Sequence, residues 1–240
     1  MSLTLLALDT STEACSVALL HNGEVTHTDE LAQRSHTKRI LPMVDEILNR
    51  SGVRLNQLDA LVFGRGPGSF TGVRVGIGIA QGLALGADLP VIPVSDLAAM
   101  AQAAYERCGA RQVLAAIDAR MNEVYFACFK AEKVRCQNHE FWQWHELIGE
   151  QVCRPEHVLQ QLTADQRAGD WLCVGTGWRA YPQFSENTFG RFSDIILPSA
   201  RYMLSLALPD WYAGKVKTAL EIEPVYLRNE VTWKKLPGRD

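Results

Sequence analysis

LLALDTSTEACSVAL, from Leu5 to Leu19, and LAAIDARMNEVYFACF, from Leu114 to Phe129, follow one plan about half a chain apart. In each, an apolar strand ends in an aspartate (Asp9, Asp118), a short polar turn carries a glutamate, and an apolar strand returns. Short apolar runs bounded by polar turns read as buried strands. Any two hairpins look somewhat alike. The second copy nevertheless falls where a second domain would begin, so the pattern favours a duplicated element.

Outward from the first copy, His21-Asn22-Gly23 is a hairpin turn into a strand over Glu24–Leu31. Ile40, Leu41, Val44, Ile47 and Leu48 give Thr37–Arg50 a helix face, which Ser51-Gly52 closes; Pro42 requires a start near Arg39 or a kink. Leu61–Phe63 is a buried strand leading into GRGPGSFTGVRVGIGIAQGLALG, Gly64 to Gly86. Its first half is a tight loop of glycine and proline. Its second half is an apolar helix from about Gly72, capped by Ser69 or Thr71, of roughly 22 Å and so too short to span a bilayer. Being apolar all round, that helix has to be covered all round. Gly78, Gly82 and Gly86 recur every four residues, and Gly72 and Gly76 do so in another register. Interior glycines cost about 0.5–1 kcal/mol each relative to alanine. A smooth strip therefore implies close approach of another backbone, either the helix's own sheet or a partner protein, and the pattern leaves both open.

Val91–Val94 is a further strand, with Ser95 or Asp96 capping a helix to about Arg107. After the second copy, whose returning strand covers Val124–Lys130, come a strand at Phe141–Leu147, a short helix at Pro155–Leu162 and a buried strand at Trp171–Val174. That strand runs into Gly175-Thr176-Gly177; a last helix runs from Ser199 to about Leu208, broken by Pro209.

A chain of 240 residues, 47% hydrophobic and 21% charged, is ordinary for a soluble protein of one large or two small domains. Its net charge of −3 offers no global basic field, so nucleic acid would be met locally or with another subunit. MSLTLLALDTST lacks the basic start and long apolar run of a signal peptide, and no transmembrane segment is expected; the expected location is the cytoplasm. Cys15, Cys108, Cys128, Cys136, Cys153 and Cys173 form no CxxC pair, which predicts buried reduced thiols.

Two turns bearing aspartate, with a glycine turn after a later strand, are what a two-lobed phosphate-binding fold needs. The sequence resembles the actin, sugar-kinase and Hsp70-like superfamily and, within it, the TsaB (YeaZ) family. The motifs are LALDTSTEACSVAL, RSHTKRILPMVDEIL, GRGPGSFTGVRVGIGIAQGLALG, LAAIDARMNEVYF and EPVYLRNEVTWKK, in family order over nearly the whole chain. The resemblance implies an α/β, two-lobed actin-like ATPase fold of duplicated ribonuclease-H-like lobes, the second reduced. Residues 1–108 would form the first lobe with the partner-binding helices, 109–215 the second, and 216–240 a segment packing back.

The implied role is that of a non-catalytic partner of TsaD, joined by the ATPase TsaE. Together they would transfer a threonylcarbamoyl group, made by TsaC from threonine, bicarbonate and ATP, onto an adenosine beside the tRNA anticodon. The pairing face would comprise Ile40, Met43, Ile47, Gly72, Val75, Gly76, Gly78, Ile79, Gly82, Leu83 and Gly86, and would self-associate into a homodimer when TsaD is absent. tRNA would be met through the complex, with Arg228, Lys234 and Lys235 as candidate contacts unless the tail is simply solvated; no membrane is involved.

Departures from active relatives point the same way. Where the catalytic relative carries two metal-holding histidines after its IPV strand, this chain has Asp96 and Met100, and a thioether is a poor ligand for a hard cation. His36 has no partner at helical spacing and reads as a surface or capping residue, so no metal site is expected. A degenerate nucleotide site would use Asp9, Thr10, Ser11, Asp118, Arg120, Gly175 and Gly177, with no tightly bound cofactor and ATP or ADP, if any, at the junction with the partner. Asp9 and Asp118 also read as turn-formers bonding their own backbone, and Arg120 either obstructs a phosphate or grips one. The competing class is a stand-alone small-molecule kinase or ATPase, or a glycoprotease-like peptidase. GPGSFTG matches neither the P-loop nor the GxSxG pattern those chemistries use.

Overall fold

The structure, a computed structural model, describes residues 2–32, 34–186 and 190–228. The two copies of the strand–turn–strand element each seed a five-stranded sheet. The first contains β1 (Leu5–Asp9), β2 (Ala14–His21), β3 (Glu24–Leu31), β4 (Ala60–Gly64) and β5 (Val91–Val94), in the order β3-β2-β1-β4-β5. The second contains β6 (Gln112–Arg120), β7 (Glu123–Cys136), β8 (His139–Cys153), β9 (Leu172–Val174) and β10 (Arg191–Phe192), in the order β8-β7-β6-β9-β10. In both, the first three strands pair antiparallel and the last two add parallel. This is the ribonuclease-H-like topology twice over, the two-lobed actin-like α/β fold. The second copy is reduced on its parallel side, where β9 has three residues and β10 two.

Strand alternation sends successive side chains to opposite faces, and the layers follow from it. On β1, Leu6 and Leu8 join the core beneath α1 (His36–Ser51) and α2 (Phe70–Ala87), while Leu5 and Ala7 face the opposite layer. That opposite layer is α8 (Ala200–Tyr212), backed by α3 (Asp96–Cys108). α3 in turn lays Leu97, Met100, Ala101 and Ala104 on Val113, Ala115 and Ile117 of the second sheet. The outer face of that sheet carries Leu114, Ala116 and Phe126 against the short helices α4 (Pro155–Gln161), α5 (Ala164–Ala168), α6 (Gly177–Ala180) and α7 (Pro182–Ser185). The lobes are thus joined through α8 and α3. α8, expected within the second lobe by its place in sequence, lies on the first sheet, its N-terminal Ala200 N–H donating to Ser16 Oγ at 2.8 Å.

Several boundaries differ from those expected. α1 starts at His36 with Pro42 inside it, and α8 continues through Pro209 to Tyr212 rather than stopping at Leu208. In α8, Met203, Leu204, Ala207 and Pro209 are all buried, so core packing outweighs the hydrogen bond the proline forfeits. β7 and β8 reach 14 and 15 residues because their outer halves pair with each other into a hairpin that extends beyond the rest of the sheet. Near its tip His139 stacks on Tyr212 at the end of α8, ring centroids 4.1 Å apart.

α2 departs most from expectation. Ser69 caps it, its hydroxyl accepting from Gly72 N at 3.0 Å, and it runs 18 residues, about 27 Å. Its length and hydropathy meet those of a membrane span, yet one face is seated in the fold through Gly72, Val73, Gly76, Ile77, Ala80 and Ala84. The other face is not covered by the described residues: Phe70, Arg74, Gly78, Gly82, Leu85 and Gly86 are exposed. A Cβ at Gly72 would collide with the Thr10 carbonyl, whereas one at Gly78 would meet nothing within 4 Å. One substitution on one helix should therefore change sign with position. Gly72→Ala is expected to destabilise the chain by about 1–3 kcal/mol, and Gly78→Ala to stabilise it by about 0.5–1 kcal/mol, as read by urea denaturation.

Candidate functional site

β1, β4 and β5 are parallel neighbours, so the residues at their C-terminal ends converge. Asp9 ends β1, Gly64 ends β4, and Asp96 follows β5 at the start of α3. Gly64 is the position that makes room, since a Cβ there would strike Asp9 Oδ1 and lie 2.9 Å from Asp96 Oδ1. Both carboxyls are buried. Ser11 Oγ sits 2.7 Å from Asp96 Oδ1 and 3.1 Å from Asp9 Oδ2, Ser11 N–H donates to Asp9 Oδ1 at 3.1 Å, and Gly66 N–H donates to Asp96 Oδ2 at 2.6 Å. Burial, and then the charge of Asp9, hold the Asp96 carboxyl well above the ordinary range. Burial also raises Asp9, partly offset by hydrogen bonds from Asp96 and Ser11. Two carboxyls sharing one site disfavour ionising together, and of the pair Asp96 is raised the further. The aspartate–aspartate pair was not anticipated from sequence, although acidic residues closing parallel strands beside a terminal glycine are a signal for it.

Above this pair the Asp9–Thr12 turn is covered by the start of α2. Thr10 Oγ1 donates to the Gly72 carbonyl at 2.6 Å, Ser69 N–H donates to the Ser11 carbonyl at 2.7 Å, and His36 Nε2 donates to the Thr12 carbonyl at 2.6 Å. Gly68, Gly72 and Gly76 permit this, since side chains there would meet Ser11 or Thr10. Asp9 and Thr10 accordingly lie behind the cleft between the lobes rather than in it. The cleft, about 520 Å³, is lined by Ser11, Glu13, His36, Ser69 and Phe70 on one side and Asp118, Arg120, Tyr125, Thr176 and Arg228 on the other.

On the second lobe Asp118 is a turn-former, accepting from Arg120 N–H at 2.9 Å, from Arg120 Nη1 at 3.0 Å and from the Tyr181 hydroxyl at 2.8 Å. Burial, then the bond to Asp118, pushes Tyr181 up to about 12. Arg120 is exposed and reaches toward Glu13 of the first lobe at 3.7 Å. Gly175 and Gly177, expected to admit a base, instead admit the backbone and side chain of Ala116. At Gly175 the positive φ of 102° further favours glycine. Of the seven nucleotide candidates, the cleft lining therefore brings together only Ser11, Asp118 and Arg120. Glu13, Tyr181 and Arg228 complete its polar network and were missed or assigned elsewhere. Arg228 pairs with Glu123 at 2.5 Å and donates to the Ala119 carbonyl at 3.2 Å, so its charge is spent within the chain. Lys234 and Lys235 lie outside the described residues.

The pairing face needs correction at five positions. Ile40, Met43 and Ile47 are buried in the first core, and Gly72 and Gly76 are pressed on Thr10, so the fold itself occupies them. Val75, Ile79 and Leu83 are half-buried, while Gly78, Gly82 and Gly86 are exposed. Beside this strip Arg74 lies over Phe70, 3.1 Å from the ring centroid, and 4.9 Å from that of Tyr226. Val225 N–H to the Arg65 carbonyl and Gln81 Nε2 to the Ala219 carbonyl tie the C-terminal segment there. Four of the six thiols are buried, and burial pushes Cys15 and Cys153 to about 11 and Cys128 and Cys173 to about 12.

The family described as tRNA N6-adenosine threonylcarbamoyltransferase, TsaD, matches residues 23–210. The chain is 66% identical over 239 residues to the tRNA threonylcarbamoyladenosine biosynthesis protein TsaB of Haemophilus influenzae, covering 100% of this chain and 99% of that protein. Identity to the Escherichia coli protein of the same description is 51% over 238 residues, covering 98% and 99%. Among solved structures, YeaZ from Pseudomonas aeruginosa superposes with a TM-score of 0.82 at 45% identity, over 94% of this chain and 100% of that one.

The carboxyl pair makes stability depend on pH with a defined sign. A carboxyl raised in the folded state contributes stability that is fully present below its unfolded pKa and is lost as pH rises from there through the folded pKa. Asp96→Asn keeps a neutral donor toward Asp9 and an acceptor for Gly66 N–H. Urea denaturation from about pH 4 to pH 8 should show the native chain losing stability with pH, at up to about 1.4 kcal/mol per unit, and the variant losing less. Identical slopes would mean that Asp96 is ionised in the folded protein.

Proposed function

The chain belongs to the TsaB (YeaZ) family, and from that premise we propose that it is a non-catalytic subunit in tRNA threonylcarbamoyladenosine biosynthesis, docking TsaD on the outer face of α2. The carrying observation is the exposed strip Gly78, Gly82 and Gly86, where an added Cβ would meet nothing within 4 Å. Two of these are interior helix positions, costing about 1 kcal/mol each against alanine with no internal contact to offset them. A partner backbone settling on the strip, flanked by Val75, Ile79, Leu83 and Leu85, supplies the offset. In the absence of TsaD the same strip takes a second copy of the chain.

The absence of independent catalysis is supported by how the would-be catalytic positions are used. The first phosphate turn is engaged by α2, Met100 is fully buried in the second core, and Asp96 is tied to Asp9, Ser11 and Gly66. A kinase needs free amides around its phosphates, and a peptidase needs an activated nucleophile. In this reading the ATPase TsaE joins the pair in the cytoplasm, any ATP or ADP sits at the junction with TsaD, and tRNA is engaged by the assembly.

Gly82→Leu fills the strip without touching the first core. It is expected to leave the thermal unfolding midpoint within a few degrees of the unmodified chain while weakening TsaD binding at least tenfold by calorimetry. Reconstituted tRNA modification should fall in proportion. Undiminished binding by a folded variant would refute the docking face.

A further inference from the structure

At the end of the second sheet remote from the inter-lobe cleft, a groove of about 640 Å³ opens where α3 hands over to β6. β6 runs nine residues between the two, so they lie about 30 Å apart. Three cations line the groove: Arg111 just before β6, Lys130 on β7 and Arg191 on β10. Pairing places them on neighbouring strands at one end of the sheet, Arg111 and Arg191 on the α3 face and Lys130 on the opposite one. Ala131 N–H bonds the Arg111 carbonyl at 2.8 Å, Gln112 faces Lys130, and Arg191 pairs with Leu172 on the strand beyond β6. With strands about 4.8 Å apart, the three positions span roughly 14 Å across the sheet end, enough for successive phosphates of one strand passing over it.

All three side chains are exposed, and none makes an ion pair among the described residues, whereas Arg39, Arg65, Arg107, Arg120, Arg135 and Arg228 all do. Arg111 is positioned instead by the face of Trp142, 4.8 Å from the ring centroid, and Tyr105 packs on the same indole at 5.2 Å, tilted by 48°. A π face orients a guanidinium without neutralising it, so its donors stay available. Asp170 is the single carboxylate in the lining. On a chain of net charge −3, three unneutralised cations against one acid in a concave site form a local field rather than a general one. The C-terminus of α3 points carbonyls toward this end, so recognition falls to the side chains.

We propose that this groove binds the phosphodiester backbone of tRNA, an inference that rests on the role in tRNA modification proposed above. Backbone contacts by arginine and lysine position RNA without reading sequence, which suits a subunit serving several tRNAs.

The test uses the full chain in complex with TsaD and an unmodified tRNA transcript, read by fluorescence anisotropy across a salt series. Replacing Arg111, Lys130 and Arg191 together by glutamine should weaken tRNA binding at least tenfold. It should also make the dependence of log K on log salt shallower by about 2–3, with TsaD pairing by calorimetry unchanged. A control triple replaces exposed Arg154, Arg179 and Lys215 by glutamine, removes the same charge and should change neither. Equal weakening by both triples, or no change in slope from the groove triple while modification still depends on this chain, overturns the groove. Modification that proceeds equally well without the chain removes the proposed function instead, a distinguishable result.

Discussion

The structure depends on one contact between backbones: the first turns of α2 lying directly on the Asp9–Thr12 turn. Gly68, Gly72 and Gly76 remove the side chains that would hold the two apart, and the Thr10 hydroxyl and Ser69 N–H then bridge the gap. The contact closes the first turn to a phosphate and seals the carboxyl pair from water. It also sets the angle at which α2 leaves the lobe, and hence which of its faces looks outward. Two buried carboxyls are costly, and the hydrogen bonds from Ser11 and Gly66 are what make their burial tolerable.

The second lobe shows what the same plan becomes without that cover. Asp118 ends its strand as Asp9 does, and each accepts a hydrogen bond from a backbone N–H two residues on. Asp118, however, stays at the cleft wall, bonded to Arg120 and Tyr181, whereas Asp9 meets another carboxyl in the interior. The glycines after β9 are filled by Ala116 of the neighbouring strand, which locks β6 to α6. Duplication preserved the topology while close packing consumed both turns in different ways.

Much of this was legible in the sequence because it is written in local periodicity. Alternation and turn chemistry located the strands of both copies, and Ser69 and Ser95 marked the two helix starts they cap. What stayed hidden depended on partners distant in sequence. Asp96 lies 87 residues beyond Asp9, and no local signal couples them until β1 and β5 are set in one sheet. The apolar stripe Ile40, Met43, Ile47 was readable as a face, but whether that face meets a partner or the first sheet depends on which side of β1 carries Leu6 and Leu8. β7 and β8 were underestimated because charged residues interrupt the apolar alternation of their outer halves, whose strand pairing is only with each other.

The glycines of α2 show the limit most clearly, because one motif serves two opposite ends. Gly76 and Gly78 stand about 200° apart on the helix, so adjacent registers of one four-residue spacing look in nearly opposite directions. Sequence shows that small residues recur; only the orientation of the helix shows which recurrence the fold has used. Inside, the missing side chains are matched by contacts with Thr10, and their cost to the helix is recovered within the chain. Outside, the cost at Gly78 and Gly82, about 2 kcal/mol together, has no internal return. A marginally stable chain that carries such a cost on its surface is not optimised as a free monomer. The strip is therefore where an added side chain, or a partner backbone under the proposed docking, could recover that cost.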